Sequence, residues 1–153
     1  MVTTTRTSYI APVTAGVARR AVAGLVGGMV GGVVFGVLMG IMGMFTMIAA
    51  MLGSDSILVG LGVHLMMSVV IGLVLTVPFG TVLLTSVPRG LVTGLAYGLL
   101  WWIMGPLVVM PLMLGMPIFT IDQAAVFSLM GHVVYGAILG VVAAAIIRRG
   151  NAR

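Results

Sequence analysis

Four long apolar stretches alternate with short polar breaks along the chain. They run from Ala21 to Gly53, from Ile57 to about Val77, from Gly90 to Met116 and from Gln123 to Ile147. A bilayer-spanning helix needs ~20 apolar residues, so each stretch is long enough to cross. None alternates in the way that a barrel strand would, and all are too long to be one. The first is over-long. It must tilt, extend past the hydrocarbon, or end in an interfacial turn around Met47 to Gly53. Ser54 or Asp55 is placed to cap the second helix. Pro78 is expected to end that helix, leaving Phe79 to Pro88 as a connector in the interface. Pro106 and Pro111 should kink or break the outer part of the third span, and Pro117 to Asp122 forms the second outer loop.

The predicted fold class is therefore all-α, a polytopic membrane protein with four transmembrane helices. Residues 1–20 form a cytoplasmic N-terminal segment, 21–79 a first two-helix repeat, 80–89 a cytoplasmic connector, 90–147 a second two-helix repeat, and 148–153 a cytoplasmic tail.

Two halves of the chain match. Phe35-Gly36 and Ile41-Met42-Gly43 correspond to Tyr97-Gly98 and Ile103-Met104-Gly105 at an offset of 62. Beyond the outer loop the offset becomes 68, where His64 corresponds to His132 and Gly72 to Gly140. This predicts a tandem duplication of a helical hairpin. Two spans per copy insert both copies the same way up, so a pseudo-two-fold axis is expected along the membrane normal.

Composition sharpens the class. Hydrophobic types make up 61% of the residues and charged types 6%, against roughly 25% charged in a soluble domain. With no Cys either, a soluble globular domain, a disordered chain and a disulfide scaffold are excluded. Arg6, Arg19 and Arg20 precede the first span, Arg89 lies between the second and third, and Arg148, Arg149 and Arg153 follow the fourth. The other two loops carry Asp55 and Asp122. This positive-inside pattern puts both termini in the cytoplasm, with the cations near anionic lipid headgroups. No basic and aromatic cluster lies outside these flanks, so nucleic acid is not an expected partner.

Gly24, Gly28, Gly32, Gly36 and Gly40 recur every fourth residue, with Gly27, Gly31 and Gly43 broadening the stripe. Gly90, Gly94 and Gly98 repeat the pattern, with Trp102 standing where Gly40 stands. Such ridges let helix backbones approach closely, either inside the monomer or at a subunit interface. Trp101 and Trp102 lie near mid-span, where they would fill a gap in the bundle or face a lipid or partner.

Gly60, His64, Ser68 and Gly72 form one helical stripe, and Ser128, His132, Gly136 and Gly140 another. Ionisable groups within a span usually face the protein interior. Three roles are open to the pair. Each His can bond to a backbone carbonyl or hydroxyl and lock the bundle. The two can be axial ligands of a haem b or a chlorin held symmetrically, if the second and fourth helices are the inner ones. Or they can line a path for a proton, small solute or metal ion. Met47, Met51, Met110 and Met113 near the outer ends suit a soft cation, although Met is equally a core filler. No Lys or Cys nucleophile exists, no carboxylate lies within a span, and no acid is placed to orient His64 beside Ser68, so no catalytic residues and no enzyme activity are expected.

Pro111-Leu112-Met113-Leu114-Gly115-Met116-Pro117, then Gly131-His132-Val133-Val134-Tyr135, then Ile146-Ile147-Arg148-Arg149 resemble the YagU-like family of small bacterial inner-membrane proteins. His64 and Ser68 match an earlier His of that pattern. The resemblance covers residues 60–150 and implies inner-membrane location, with a suggested link to acid tolerance; the family's long polar loop between the first two spans is missing here. The function expected from the sequence is a structural or accessory subunit of a larger inner-membrane assembly or homo-oligomer, because almost no chain lies outside the membrane to recognise anything in water. The alternatives are a haem- or chlorin-binding protein and a small transporter.

Overall fold

The computed structural model describes residues 13–149; Arg6 and Arg153 lie outside the described residues. Regular structure within them is helical throughout: α1 (Val13–Ile41), α2 (Phe45–Ala50), α3 (Ile57–Leu83), α4 (Val87–Met104), a π-helical turn (Gly105–Val109), α5 (Met110–Leu114) and α6 (Gln123–Arg149). Four helical stretches are long and apolar enough to span a membrane: α1, α3, α4 continued through α5, and α6.

Several boundaries differ from those expected. Arg19 and Arg20 lie inside α1, and Arg148 and Arg149 inside α6, rather than in flanking segments. Gly43 adopts φ 67° and turns the chain after α1, so it belongs to a turn and not to the glycine ridge. The over-long first stretch thus ends in a turn followed by the short helix α2. Pro78 does not end α3, which continues to Leu83. Proline costs one backbone hydrogen bond, but a helix in lipid has no competing solvent and neighbours re-satisfy freed groups. The carbonyl that Pro78 frees is that of Val74, one turn back; beside the proline, the guanidinium of Arg20 donates to the carbonyl of Val77. The expected ten-residue connector shrinks to Leu84–Ser86. Ser86 caps α4, its hydroxyl accepting the Arg89 N–H at 3.2 Å, with Pro88 in the first turn where no N–H is needed. Neither Ser54 nor Asp55 caps α3: Ser54 Oγ instead accepts the Ser56 N–H within the turn. Asp122 does cap α6, accepting the Ala125 N–H at 2.8 Å. Gly105-Pro106 widens the third span into a π turn, as a proline-induced break should.

The packing follows from the glycines. Gly24, Gly28, Gly32 and Gly36 face α3, while Gly27 and Gly31 face Leu139 and Tyr135 of α6. Gly40 packs on the ring of Phe45. Gly90, Gly94 and Gly98 face α6. The pairings run in opposite directions, Gly24 with Gly72 and Gly36 with His64, Gly90 with Gly140 and Gly98 with His132. Neighbouring helices are therefore antiparallel. Their order across the bundle is α3, α1, α6, α4, with little direct contact between α3 and α4.

This order differs from the expected symmetry. A two-fold axis exchanging the hairpins would require α4 to meet α3 as broadly as α1 meets α6, and it does not. The inner helices are the first and fourth, not the second and fourth. Within the hairpins, however, the registers match: Gly32 meets Ser68 as Gly94 meets Gly136, and Gly36 meets His64 as Gly98 meets His132. Arg19, Arg20, Arg89, Arg148 and Arg149 lie at one end of this antiparallel bundle and Asp55 and Asp122 at the other. In the half nearer the arginines, Leu75, Thr76, Leu84 and Leu139 are all fully buried.

Candidate functional site

The two intramembrane histidines meet in the other half of the bundle, and a third residue joins them. Phe35, on α1, packs edge-on against both imidazoles, with ring centroids 5.2 Å from His64 and 4.8 Å from His132. Phe35 reaches that position because Gly131 has no side chain; a Cβ there would lie within the phenyl ring's own contact distance.

Each histidine spends one ring nitrogen on the backbone. His64 Nε2 lies 2.9 Å from the Gly32 carbonyl of α1. His132 Nδ1 lies 2.8 Å from the Ser128 carbonyl, one turn back on its own helix. A carbonyl oxygen only accepts, so the bonded nitrogen carries the proton in each ring. The lone pair of a neutral imidazole is then on His64 Nδ1 and on His132 Nε2. Ser68 donates to the His64 carbonyl at 2.7 Å, and Tyr135 donates to the Ser68 carbonyl at 2.6 Å. This buried chain ties α6 to α3 and α3 to α1. Tyr97 adds a second strut, donating to the Ile71 carbonyl at 2.9 Å and bridging α4 to α3.

Around these residues lies a cavity of about 350 Å³. One wall is α3, through Val63, His64, Met67, Ser68 and Ile71; the facing wall is Trp101, Met104 and the π turn; α6 contributes Ala125, Ser128, His132 and Tyr135. Eight of the 14 methionines line it, including Met47, Met51 and Met110. Met113 does not line it and is exposed. The two tryptophans part ways. Trp102 Nε1 donates to the Ala125 carbonyl at 2.9 Å, fastening α4 to α6. Trp101 lines the cavity with part of its ring, while its Nε1 is buried on the side of Tyr97, whose ring packs edge-on against the indole at 6.1 Å.

This arrangement discriminates among the roles open to the histidines. The backbone-locking role accounts for one nitrogen of each ring. Axial ligation of one haem b or chlorin needs a flat slot with an imidazole on each face. Both imidazoles instead pack on the same phenyl ring, so a shared macrocycle does not fit them as they stand. No group of three or more His, Cys, Asp or Glu side chains that could hold a metal occurs among the described residues. A path across the membrane would have to pass Leu75 and Leu139, both fully buried.

Phe35, Tyr97 and Tyr135 are the site residues that sequence reasoning missed; Trp101, expected to fill a gap in the bundle or face a lipid or partner, lines the cavity. Each tyrosine did carry a signal, since a phenol within an apolar span must find an acceptor, but nothing local says which carbonyl accepts. Comparison of the chain with family models, with curated proteins and with solved structures found no match to any of them.

Proposed function

We propose that this protein is a non-enzymatic, multi-pass component of a bacterial inner membrane, with both termini cytoplasmic, that holds a small lipid-soluble guest in the cavity beside His64 and His132. The observation that carries the reading is the cavity itself. A bundle whose helices approach to backbone contact along the glycine ridges leaves about 350 Å³ open beside the two histidines, a volume within the ordinary range of small-molecule sites. The intramembrane histidines border it. A purely structural bundle would gain packing energy by filling that space. The buried Leu75 and Leu139 near the arginines support holding over conducting.

The test is purification in mild detergent, solvent extraction and mass analysis of what leaves with the protein. Wild type is expected to yield one lipid-soluble species in near-stoichiometric amount. Ala124→Phe, which places a ring in the cavity from the start of α6, should lose it while keeping the bundle. Equal yields from both proteins sink the reading.

A second reading keeps the chain as an accessory subunit or homo-oligomer. The glycine ridges no longer support it, because they face helices of the same chain. What favours it is the exposure of α3 and α4, the least buried spans at 22% and 17%, whose outward faces are open to lipid or to another subunit. Native mass measurement decides: a bare monomer in several detergents removes this reading. A tandem origin of the two hairpins is supported by their matching Gly32–Ser68 and Gly94–Gly136 registers.

A further inference from the structure

The depth and the open side of the cavity, resting on the reading of it as a guest site, specify the guest. The cavity is a cleft between two walls that hardly meet, because α3 makes little direct contact with α4, the π turn or α5. The inner helices α1 and α6 form its back. Met67 of α3 and Met104 of α4 line it and are exposed at 39% and 43%, which puts them at its lips, facing the bilayer. Its deepest residues, Ile71 and Trp101, both lie at the middle of their spans, Ile57–Leu83 and Val87–Leu114. There the floor is closed. Tyr97 donates to the Ile71 carbonyl across the gap, and one turn further Leu75 is fully buried. From Trp101 to Pro111 the wall rises ~15 Å, half of the ~30 Å hydrocarbon core. The cleft therefore runs from the bilayer midplane to the surface at the Asp122 end, the depth of one leaflet.

We propose that the guest is one ester-linked acyl chain of a membrane lipid in that leaflet, lodged along the helices and entering sideways between Met67 and Met104. The volume of about 350 Å³ holds roughly a dozen groups of the ~30 Å³ that a water or a methylene fills, most of one such chain. A small ring would leave much of that depth empty. The deep wall asks for no polar guest, since His64, Ser68, His132 and Tyr135 each donate to a backbone carbonyl. Methionine side chains adapt to a flexible chain. Among the described residues Asp122 is the one carboxylate on the walls, and it lies at the outer end. A free fatty acid would bring a like charge to it, whereas an ester linkage brings none and leaves the lipid's other chain in the bilayer.

The experiment reconstitutes the full-length protein into phosphatidylcholine vesicles with one of three photoactivatable probes at equal mole fraction. They are a phosphatidylcholine with a diazirine near the methyl end of one chain, the free fatty acid of that chain, and adamantyl diazirine, a small apolar molecule. Adducts are mapped by mass spectrometry. Ile71 and Tyr135 report the interior of the cleft, while Val70 and Leu100, exposed outside it, report ordinary lipid contact. The phospholipid is expected to label the interior residues more strongly than either other probe. Ala124→Phe should lose those interior adducts and keep the exterior ones. Equal or stronger interior labelling by the fatty acid or by adamantyl diazirine overturns the proposal and leaves the cavity reading standing. So does release, on solvent extraction, of a small non-lipid guest that kept all three probes out. No interior adduct from any probe, with nothing released on extraction, overturns both readings. The wild-type comparison is decisive even if the Ala124 variant does not fold.

Discussion

The phenyl ring of Phe35 occupies the place where a side chain at position 131 would be, so that α1 and α6 close over an aromatic ring and a glycine. That ring in turn supports both imidazoles. One missing methyl group thus fixes the position of three side chains drawn from α1, α3 and α6.

Gly131→Ala should therefore destabilise the bundle by about 1–3 kcal/mol, as overpacking does in a close-packed core. Phe35→Leu in the same chain should recover part of the loss, because the inserted methyl then meets a smaller neighbour. Unfolding in a denaturing-detergent titration reads both, and additivity of the two changes would show that the residues do not compete for one space.

The glycines of the ridges should differ sharply from those on open faces. A Cβ at Gly94 would collide with the Gly136 carbonyl, whereas one at Gly62 meets nothing. Gly94→Ala is expected to force α4 from α6 at a cost of about 2 kcal/mol or more. Gly62→Ala should be neutral or stabilising by up to ~1 kcal/mol, through helix propensity alone. Equal effects would mean that the α4–α6 approach is looser than described.

His64 and His132 correspond in sequence but should not be equal in energy. The His64 bond crosses from α3 to the Gly32 carbonyl of α1, while the His132 bond stays within α6. His64→Ala is expected to cost about 1–3 kcal/mol and to loosen α1 from α3. His132→Ala should cost less, since only a local bond and the edge of Phe35 are lost. The same detergent titration applied to both variants checks the order, and a larger loss at His132 would refute it.

Orientation rests on charge alone and has a direct test. The chain has no Cys, so single cysteines report cleanly. A cysteine at position 55 or 122 should react with an impermeant thiol reagent from outside intact cells, and one at position 85 only after the membrane is opened. The reverse pattern would invert the topology and place the cavity on the cytoplasmic side.

Much of the architecture is written in composition. Spans of ~20 apolar residues must be helical in lipid because every backbone group has to be satisfied internally. The number of spans, their antiparallel succession and the gathering of arginines at one end follow from that and from charge. The break at Gly105-Pro106 was equally legible, since proline acts on its own backbone. Its effect at Pro78 was not, because whether a helix continues past one lost hydrogen bond depends on what packs around it and not on the proline's own backbone.

What the tertiary structure alone decided is which face meets which. The glycine ridge announces close packing without naming a partner, and only the folded chain assigns four of its glycines to α3 and two others to α6. Internal similarity suggested a symmetric bundle, but packing energy depends on the shapes of all facing side chains at once. With Phe35 opposite Gly131, and Tyr97 in the corresponding position of α4, the two outer faces are not equivalent, and α1 meets α6 far more closely than α4 meets α3. The cavity has the same origin. It is the space left where α3 and α4 fail to meet, and no single residue encodes it. Trp101 and Trp102 are neighbours of one type, yet one bonds to Ala125 and the other does not, because successive residues on a helix point 100° apart and only the assembled bundle determines what each direction contains.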